Sequence, residues 1–289
     1  KQSVEVLNVQ VHKVIHELQL VAFRNKFGPK QFSQHQMIAL LILKARSGKS
    51  LRDFVIWLCE SKWPEWLKLT EIPSKSTIHN YFQRFGMKII RTLNNLCLQA
   101  QQVVKLAIDS TGIDLSGASK HYEKRIFREK TPHLKLSILA DSDSKLIHDW
   151  ISEERHVHDV QHAKRLVKRT SLKEVDIFAD KAYDCEELMQ IAAAKRNRLY
   201  CPIRDFGNKK PKSGRLRKKL HKIFDKKYYN TGRNPVECIM FLFKNDQIKI
   251  RSKRKLNKYK ELGWHILAYN LKRLARAIRL LLQMTLDSA

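Results

Sequence analysis

The stretch VVKLAIDSTG, residues 103–112, divides the chain into two parts of different character. Its run of β-branched and aliphatic residues predicts a strand over residues 103–108 that stops at Asp109. The part before it reads as helices only, whereas the part after it alternates strands with helices. This order predicts an all-α N-terminal domain, residues 1–100, followed by an α/β domain, residues 101–289.

The α/β part carries further strand signals. Leu134, Leu136 and Ile138 alternate with Lys135 and Ser137, which is typical of a half-buried strand. Turn, strand and helix signals follow along the chain: a DSDS turn at 141–144, strands at 146–151, 175–179 and 198–202, a helix capped by Asp159, and a helix at 185–195. We therefore expect a mixed sheet flanked by helices, and not a barrel.

The N-terminal part reads as short helices over residues 32–45, 51–59 and 74–85. Ser74 or Ser76 is suited to cap the third of these helices. Three short helices ending in a basic, Ser-led helix suggest a helix-turn-helix, in which Lys75 and Arg84 would face DNA bases. A plain helical bundle that serves assembly gives the same pattern.

The charge of the chain is strongly positive. Its 289 residues include 57 Lys and Arg against 28 Asp and Glu, which gives a formal net charge of +29. Hydrophobic residues make up 43%, enough for a folded core. Such an excess of positive charge implies a polyanionic partner, either nucleic acid or an anionic membrane surface.

Other features narrow the cellular setting. No stretch is long and apolar enough to predict a membrane span, and no signal peptide is recognisable, although Lys1 shows that the natural start may lie upstream. The five cysteines have no metal-like spacing and suit a reducing compartment. We expect a cytoplasmic protein that binds DNA and does not insert into membranes.

Two basic runs stand out in the second half. They are Lys209, Lys210, Lys212, Arg215, Arg217, Lys218, Lys219 and Lys222, and then Lys249, Arg251, Lys253, Arg254, Lys255, Lys258 and Lys260. A charge run is usually a solvated face. Because these runs flank an apolar helix with a carboxylate, they also suit the walls of a channel for phosphates. A last helix is predicted after Gly263, over residues 266–286.

Three carboxylates are candidates for catalysis. Asp109 and Asp180 each follow an apolar strand, and functional groups gather at the carboxyl ends of strands in α/β sheets. Glu237 lies in TGRNPVECIMFLFK, residues 231–244, a predicted helix with Pro235 just inside its start. Helical spacing places Arg233, Glu237 and Lys244 on one face. Three carboxylates with vacant positions suit two Mg²⁺ ions, for which Mn²⁺ can substitute.

Each of these residues also has a plainer interpretation. A single Asp after a strand is often a turn residue or a helix cap. Arg233 and Glu237 could form an ordinary i,i+4 pair on a solvated helix face. Other acidic residues compete for the same role: Asp114, Asp141, Asp143, Asp149 and Asp184. The pair His156 and His158 could bind a transition metal, but a loop and helix cap near the site is the simpler reading.

Three blocks of the sequence resemble the signatures of prokaryotic insertion-sequence transposases of the DDE class. They are Asp109-Ser-Thr-Gly, Asp180-Lys-Ala-Tyr-Asp, and Arg233-x3-Glu237-x6-Lys244. The family has a Tyr three residues before the Arg, where this chain has Asn230, with Tyr229 one place earlier. With 56 residues between Asp180 and Glu237, the chain resembles the compact members, which lack a β insertion before the Glu.

This resemblance implies a ribonuclease-H-like fold in which Asp109, Asp180 and Glu237 bind the metal ions. It implies a transposase that cleaves double-stranded DNA at its element's ends and joins the 3′-OH to target DNA, as a homodimer near the nucleoid. The expected DNA contacts are Tyr229, Arg233, Lys244, Lys249, Arg251, Lys253, Arg254, Lys255, Lys75 and Arg84. A nuclease that only hydrolyses DNA, or a repressor with an inactive catalytic domain, are the alternatives.

Overall fold

The structure is a computed structural model of the protein. It describes residues 23, 30–99, 101–115, 133–154, 157–204, 214–246 and 248–287. The chain forms two compact units. The helical unit comprises Lys1–Gln99 and Asn245–Ala289, and the sheet unit comprises Ala100–Lys244. The sequence predicted that residues 245–289 belong with the sheet, but the structure groups them with the N-terminal helices.

The described part of the helical unit begins with five helices, and capping interactions set the ends of the first of them. They are α1 (Gln34–Ser47), α2 (Leu51–Cys59), α3 (Trp63–Trp66), α4 (Lys75–Arg84) and α5 (Met87–Leu98). Ser33 and Gln36 form a capping box at the start of α1, and Gly48 ends the helix in the left-handed region at φ 60°. The central part of α1, from Met37 to Leu43, is buried throughout. This helix is therefore the core of the unit.

Helix α4, proposed from the sequence as a recognition helix, has one buried and one exposed side. Ser74, and not Ser76, caps it by accepting from the Thr77 amide. Ile78 is fully buried, and α4 packs against α1 and α2. Lys75 and Arg84 are exposed. The polar side of α4 is therefore exposed, and this arrangement fits both a helix-turn-helix and a plain bundle.

The last helix, α10 (Lys255–Asp287), starts before Gly263, where the sequence predicted it would begin. It packs against α1 and α5, and the buried Asn270 side chain donates to Asn94 of α5. Gly263 lies inside the helix and is buried. The prediction of a helix start at this glycine was therefore wrong, because the helix runs through it.

The sheet unit is built on five strands: β1 (Lys105–Asp114), β2 (His133–Asp141), β3 (Ile147–Glu153), β4 (Asp176–Phe178) and β5 (Arg198–Tyr200). Their order in the sheet is β3-β2-β1-β4-β5. Strand β1 is antiparallel to β2 and parallel to β4, and β4 is parallel to β5. This mixed sheet flanked by helices confirms the predicted α/β fold class.

The helices of the sheet unit are α6 (Asp159–Arg169), a 3₁₀ turn (Lys181–Tyr183), α7 (Glu186–Ala193), α8 (Arg215–Ile223) and α9 (Lys226–Asn245). Helix α6 packs across β1, β2 and β3. It buries Ser137 completely, although the alternating pattern of β2 had placed that side chain on the open face. Asp159 is the first residue of α6 and makes no cap hydrogen bond. It pairs instead with Lys135 at 2.6 Å.

Helix α9 begins at Lys226, more than two turns before Pro235. The prediction that Pro235 lies just inside the helix start was therefore wrong. Asp225 supports the earlier start by accepting from the amides of Lys227 and Tyr229. Tyr228 then ties the first turn to the sheet by donating to Asp176.

The described cysteines, Cys59, Cys97, Cys185, Cys201 and Cys238, are all free. Within the described ranges, no helix is both long and apolar enough to cross a bilayer.

Candidate active site

Asp109 on β1 and Asp180 just after β4 occupy equivalent positions relative to the paired part of these two strands. Strand β1 pairs with β4 only as far as Ala107 opposite Phe178. Asp109 and Asp180 each follow that last pair by two residues, where adjacent parallel strands are about 4.8 Å apart. The sequence placed Asp109 past the end of its strand, but β1 continues to Asp114 because β2 pairs with it along its whole length. The site therefore lies where β4 ends, beside the part of β1 that continues past it.

The turn that presents Asp180 is held from several sides. The Asp180 carboxylate accepts from the Ala182 amide at 2.6 Å. Asp184, at the end of the turn, forms a buried ion pair with Arg217 of α8 at 2.7 Å. Arg204 donates to the carbonyls of Lys181 and Ala182. These bonds fix the backbone around the carboxylate.

Helix α9 reaches the site because it packs closely on β4. A Cβ added at Gly232 would lie 2.2 Å from the Phe178 ring, so only glycine permits this approach. The Ser142 hydroxyl donates to the Gly232 carbonyl at 2.6 Å. The next residue, Arg233, is thereby directed at β1.

Arg233 lies between two of the predicted carboxylates. Its Nη2 is 3.1 Å from Asp109 Oδ2, and its Nη1 is 3.9 Å from Glu237 Oε1. The Arg233 side chain is 12% exposed, whereas that of Glu237 is 77% exposed. The i,i+4 pair predicted as the plain alternative is therefore present. It is not an ordinary surface pair, because the same guanidinium also binds a strand carboxylate.

The pKa of Asp109 responds to both of the other predicted carboxylates. Burial raises the pKa of Asp109, and the charges of Asp180 and Glu237 raise it further. Arg233 and the Ser110 amide act in the opposite direction and only partly offset this effect. The site therefore concentrates negative charge that a single arginine does not neutralise.

The donor chemistry suits a divalent cation, since Mg²⁺ prefers carboxylate oxygens. In the described parts of the chain, however, no group of three or more His, Cys, Asp or Glu side chains is close enough to hold a metal ion. His156 lies outside the described residues, so the predicted histidine pair has no described geometry. His158 precedes α6 and makes no side-chain cap bond.

Tyr229 lies beside the site, one turn before Arg233 on α9. Its ring packs on Phe224 with the centroids 5.5 Å apart. Burial raises the pKa of Tyr229, Arg233 lowers it, and Asp180 and Asp109 raise it further. Asn230, at the position of the family's tyrosine, points to solvent.

The remaining predicted DNA contacts are exposed. Lys244 is exposed near the end of α9 in the sheet unit. The helical unit carries the others, which are Lys75, Arg84, Lys249, Arg251, Lys253, Arg254 and Lys255. From the first basic run, Lys209, Lys210 and Lys212 lie outside the described residues. Arg217 of that run does not face a channel, because its side chain pairs with Asp184.

The sequence reasoning missed a buried polar cluster under β1. It consists of Ser110, Ser137, His162 and Tyr183, with Glu153 at its edge. Two of these residues stand within the signature blocks, next to Asp109 and in the turn after Asp180. A serine in the middle of an apolar strand was the available signal.

The chain thus combines a mixed five-stranded sheet with an acidic site beside the carboxyl end of β4. Residues 102–271, more than half of the chain, match the family described as the transposase DDE domain. The protein belongs to this family, and the predicted DDE-class transposase is confirmed. It is accordingly an enzyme that acts on DNA, in a family that generally uses divalent metal ions.

One solved structure that the chain matches is the cryo-EM structure of a piggyBac transposase synaptic complex with hairpin DNA. The identity is 12% and the TM-score 0.46, over 92% of this chain and 71% of that one. No curated protein matches the chain.

Proposed function

We propose that the protein is a transposase that cleaves double-stranded DNA at its element's ends and joins the freed 3′-OH to target DNA. The observation that carries this proposal is that Arg233 lies 3.1 Å from Asp109 and 3.9 Å from Glu237, while the charge of Asp180 also acts on Asp109. The three carboxylates come from a strand, a turn after a strand and a helix, far apart in sequence, and the sequence alone predicted each of them. Family membership supports the same reaction class.

Asp109, Asp180 and Glu237 would hold two Mg²⁺ ions, which supply an activated attacking oxygen and stabilise the leaving oxygen when bound. The half-buried carboxylates of Asp109 and Asp180, each held by a backbone amide, provide the fixed part of the site. Glu237 is mostly exposed and is free to reorient. Arg233 and Lys244, on the same helix, would bind the DNA phosphates that flank the reacting bond, and Tyr229 would assist them.

The protein's own contribution to the chemistry is mainly positioning. Hydrolysis and strand transfer are both in-line attacks at phosphorus, first by water and then by a 3′-OH. A site that orients phosphate can therefore serve both steps. Phosphate geometry carries no base sequence, so recognition of the element's ends must involve other residues.

The exposed cations of the helical unit are suited to that task. Residues 249–255, here called the basic loop, contain Lys249, Arg251, Lys253, Arg254 and Lys255, which would neutralise phosphates. Lys75 and Arg84 on α4 would face base edges in the major groove. A K75A/R84A variant should lose preference for end DNA over scrambled DNA while keeping general affinity. An unchanged preference would assign α4 to assembly.

The remaining expectations rest on the resemblance to insertion-sequence transposases. They are a prokaryotic setting near the nucleoid and a homodimer on DNA. Sedimentation of the protein with and without end-bearing duplex measures the stoichiometry.

The reaction itself is tested with a plasmid that carries the element's ends. We expect Mg²⁺-dependent nicks at the ends, followed by covalently joined products. Nicks without joined products would indicate a nuclease that only hydrolyses DNA. Binding of the ends without any nicks, in Mg²⁺ or Mn²⁺, would indicate a repressor and would overturn the proposal.

A further inference from the structure

A chain of hydrogen bonds runs beneath the two catalytic strands. Tyr183 Oη is 3.2 Å from Ser110 Oγ, which is 2.7 Å from Ser137 Oγ. Ser137 Oγ is 2.8 Å from His162 Nδ1, and His162 Nε2 is 3.2 Å from Glu153 Oε2. Ser137 and His162 are fully buried and Tyr183 is 1% exposed. The chain is therefore shielded from water along most of its length.

The donors in this chain all point the same way. Burial lowers the pKa of His162, so the imidazole is neutral at neutral pH and only one of its nitrogens donates. The Glu153 carboxylate can only accept, so Nε2–H donates to it and Nδ1 accepts from Ser137. Ser137 then accepts from Ser110, whose hydroxyl is also hydrogen-bonded with the Asp159 carboxylate, and Ser110 accepts from Tyr183. Burial raises the pKa of Tyr183, so its hydroxyl keeps the proton that it donates.

This chain touches both of the strand ends that carry catalytic aspartates. Ser110 follows Asp109 directly, and its amide donates to the Asp109 carboxylate at 2.9 Å. Tyr183 closes the turn whose first hydrogen bond is made by Asp180. Ser110 is also directly opposite Ser137 in the β1–β2 ladder. Because adjacent residues of a strand point to opposite faces, the chain holds β1 from the side opposite Asp109.

We propose that His162 is a positioning residue, which sets the spacing of Asp109 and Asp180 through Ser137, Ser110 and Tyr183. This inference rests on the proposed function, in which Asp109 and Asp180 bind metal. The hydrogen-bond chain from Tyr183 to Glu153, here called the relay, would hold these two carboxylates in place. The inference assigns a role in the reaction to a buried histidine on α6. The hydrogen bonds of this histidine go to Ser137 and Glu153, and not to Asp109 or Asp180. Partners behind the ligands of a metal site commonly change its metal affinity or activity by about 10- to 100-fold.

Two substitutions of His162 separate the relay from simple packing. In His162→Asn the amide oxygen takes the place of Nδ1, which keeps the bond to Ser137 and loses Glu153. In His162→Gln the amide nitrogen takes the place of Nε2, which keeps Glu153 and loses Ser137. Ser137→Ala breaks the relay at the same point as His162→Gln with a smaller change in volume.

The first measurement is hydrogen exchange of the Ser110 amide in the metal-free full-length protein. We expect faster exchange in H162Q and S137A and an unchanged rate in H162N. The second measurement is Mn²⁺ affinity by titration calorimetry. Here H162Q and S137A should bind about 10-fold more weakly or worse, while H162N stays near wild type.

The inference is overturned if H162N and H162Q have equal effects that are proportional to their loss of thermal stability. It is also overturned if H162N has the larger effect, or if no variant changes the amide exchange of Ser110. Nitrogen NMR provides a direct check, because an Nδ1–H or a cationic imidazole at His162 contradicts the donor order. A wild-type protein that binds no Mn²⁺ would refute the two-metal site, whereas amide exchange would still decide on the relay.

Discussion

At the scale of single residues, Arg233 is the unusual feature of the site. A buried cation among carboxylates compensates their charge, and it also repels any other cation that approaches them. The guanidinium atoms Nε and Nη1 have no hydrogen-bond partner among the described residues. An arginine that is incompletely bonded in its resting position is well placed to turn toward a DNA phosphate.

The first prediction follows from this repulsion. Arg233→Gln should bind Mn²⁺ at least about fivefold more tightly, since about 1 kcal/mol of relieved repulsion is enough for that change. DNA cleavage should nevertheless decrease, because glutamine cannot bind the phosphate as arginine does. Titration calorimetry measures the affinity. Arg198→Gln is the matched control, because Arg198 pairs with Asp176 elsewhere in the sheet unit. Equal or weaker Mn²⁺ binding by R233Q would contradict the prediction.

The second prediction concerns Asp109 and pH. Its pKa is raised in the folded protein, so its contribution to stability is fully present below the unfolded pKa and is lost as pH rises through the folded pKa. Asp109→Asn avoids that loss. The free energy of unfolding of D109N relative to wild type should therefore increase from acid to neutral pH.

Urea unfolding at a series of pH values between about 3 and 7 measures this difference. Asp143→Asn, at the exposed position of the β2–β3 turn, is the control and should show no such trend. A difference for D109N that stays constant or decreases with pH would contradict the assignment of a raised pKa.

At the scale of secondary-structure elements, the site depends on how closely α9 approaches β4. Gly232 permits the contact with Phe178. The hydrogen bond from Ser142 to the Gly232 carbonyl fixes how close α9 lies to the sheet. The geometry that brings Arg233 to Asp109 is thus a packing property of α9.

The third prediction tests this contact. Gly232→Ala forces a Cβ against the Phe178 ring and should destabilise the protein by about 1–3 kcal/mol, as overpacked cores do. It should also weaken Mn²⁺ binding, because Glu237 moves with the helix. Adding Phe178→Leu to G232A should restore part of both. Gly86→Ala, where nothing lies within 4 Å of the added Cβ, is the control. A stable G232A with normal Mn²⁺ affinity would show that the contact is not needed.

Much of the sheet could be predicted from the sequence because its strands carry strong local patterns. The pattern 134–138 and the DSDS turn define a hairpin, and Asp141 indeed accepts from the amides of Asp143 and Ser144. Local pattern could not show that α6 covers the face of β2 that holds Ser137. It also could not place the start of α9, which depends on Tyr228 reaching Asp176.

The same distinction applies to the site. Asp109, Asp180 and Glu237 were recognisable because they stand in motifs with fixed spacing. The place of Arg233 between Asp109 and Glu237 was not, since it follows from the approach of α9 to the sheet. The relay through His162 joins residues 110, 137, 162 and 183, and no local pattern connects positions so far apart.

At the scale of the whole molecule, the helical unit contains both ends of the chain. Its basic loop is held in place, because Glu261 accepts from the amides of Arg251 and Ser252 and pairs with Lys44 at 2.8 Å. The exposed cations of this loop are therefore presented by a fixed backbone. Removing residues 1–95 would expose the face of α10 that packs on α1 and α5, so point variants test DNA binding more cleanly than truncation.

The fourth prediction concerns the salt dependence of DNA binding. Replacing Lys249, Arg251, Lys253, Arg254 and Lys255 by Gln should weaken binding to all duplexes alike. The slope of log affinity against log salt should become shallower by about 0.9 for each phosphate that the variant no longer neutralises. Lys173→Gln with Arg196→Gln, exposed cations of the sheet unit, is the control. A slope that is unchanged by the loop variant would exclude this loop from the DNA interface.

The central claim is that Asp109, Asp180 and Glu237 act as one catalytic unit, and cleavage rates of single and double amide variants test it most directly. The measurement is nicking of end-bearing DNA in Mg²⁺ under single-turnover conditions, with DNA affinity as the control for folding. We expect D109N, D180N and E237Q each to lower the rate to background, and double variants to lower it no further, because residues that act as a unit are not additive. A D180N protein that nicks at close to the wild-type rate would contradict the claim.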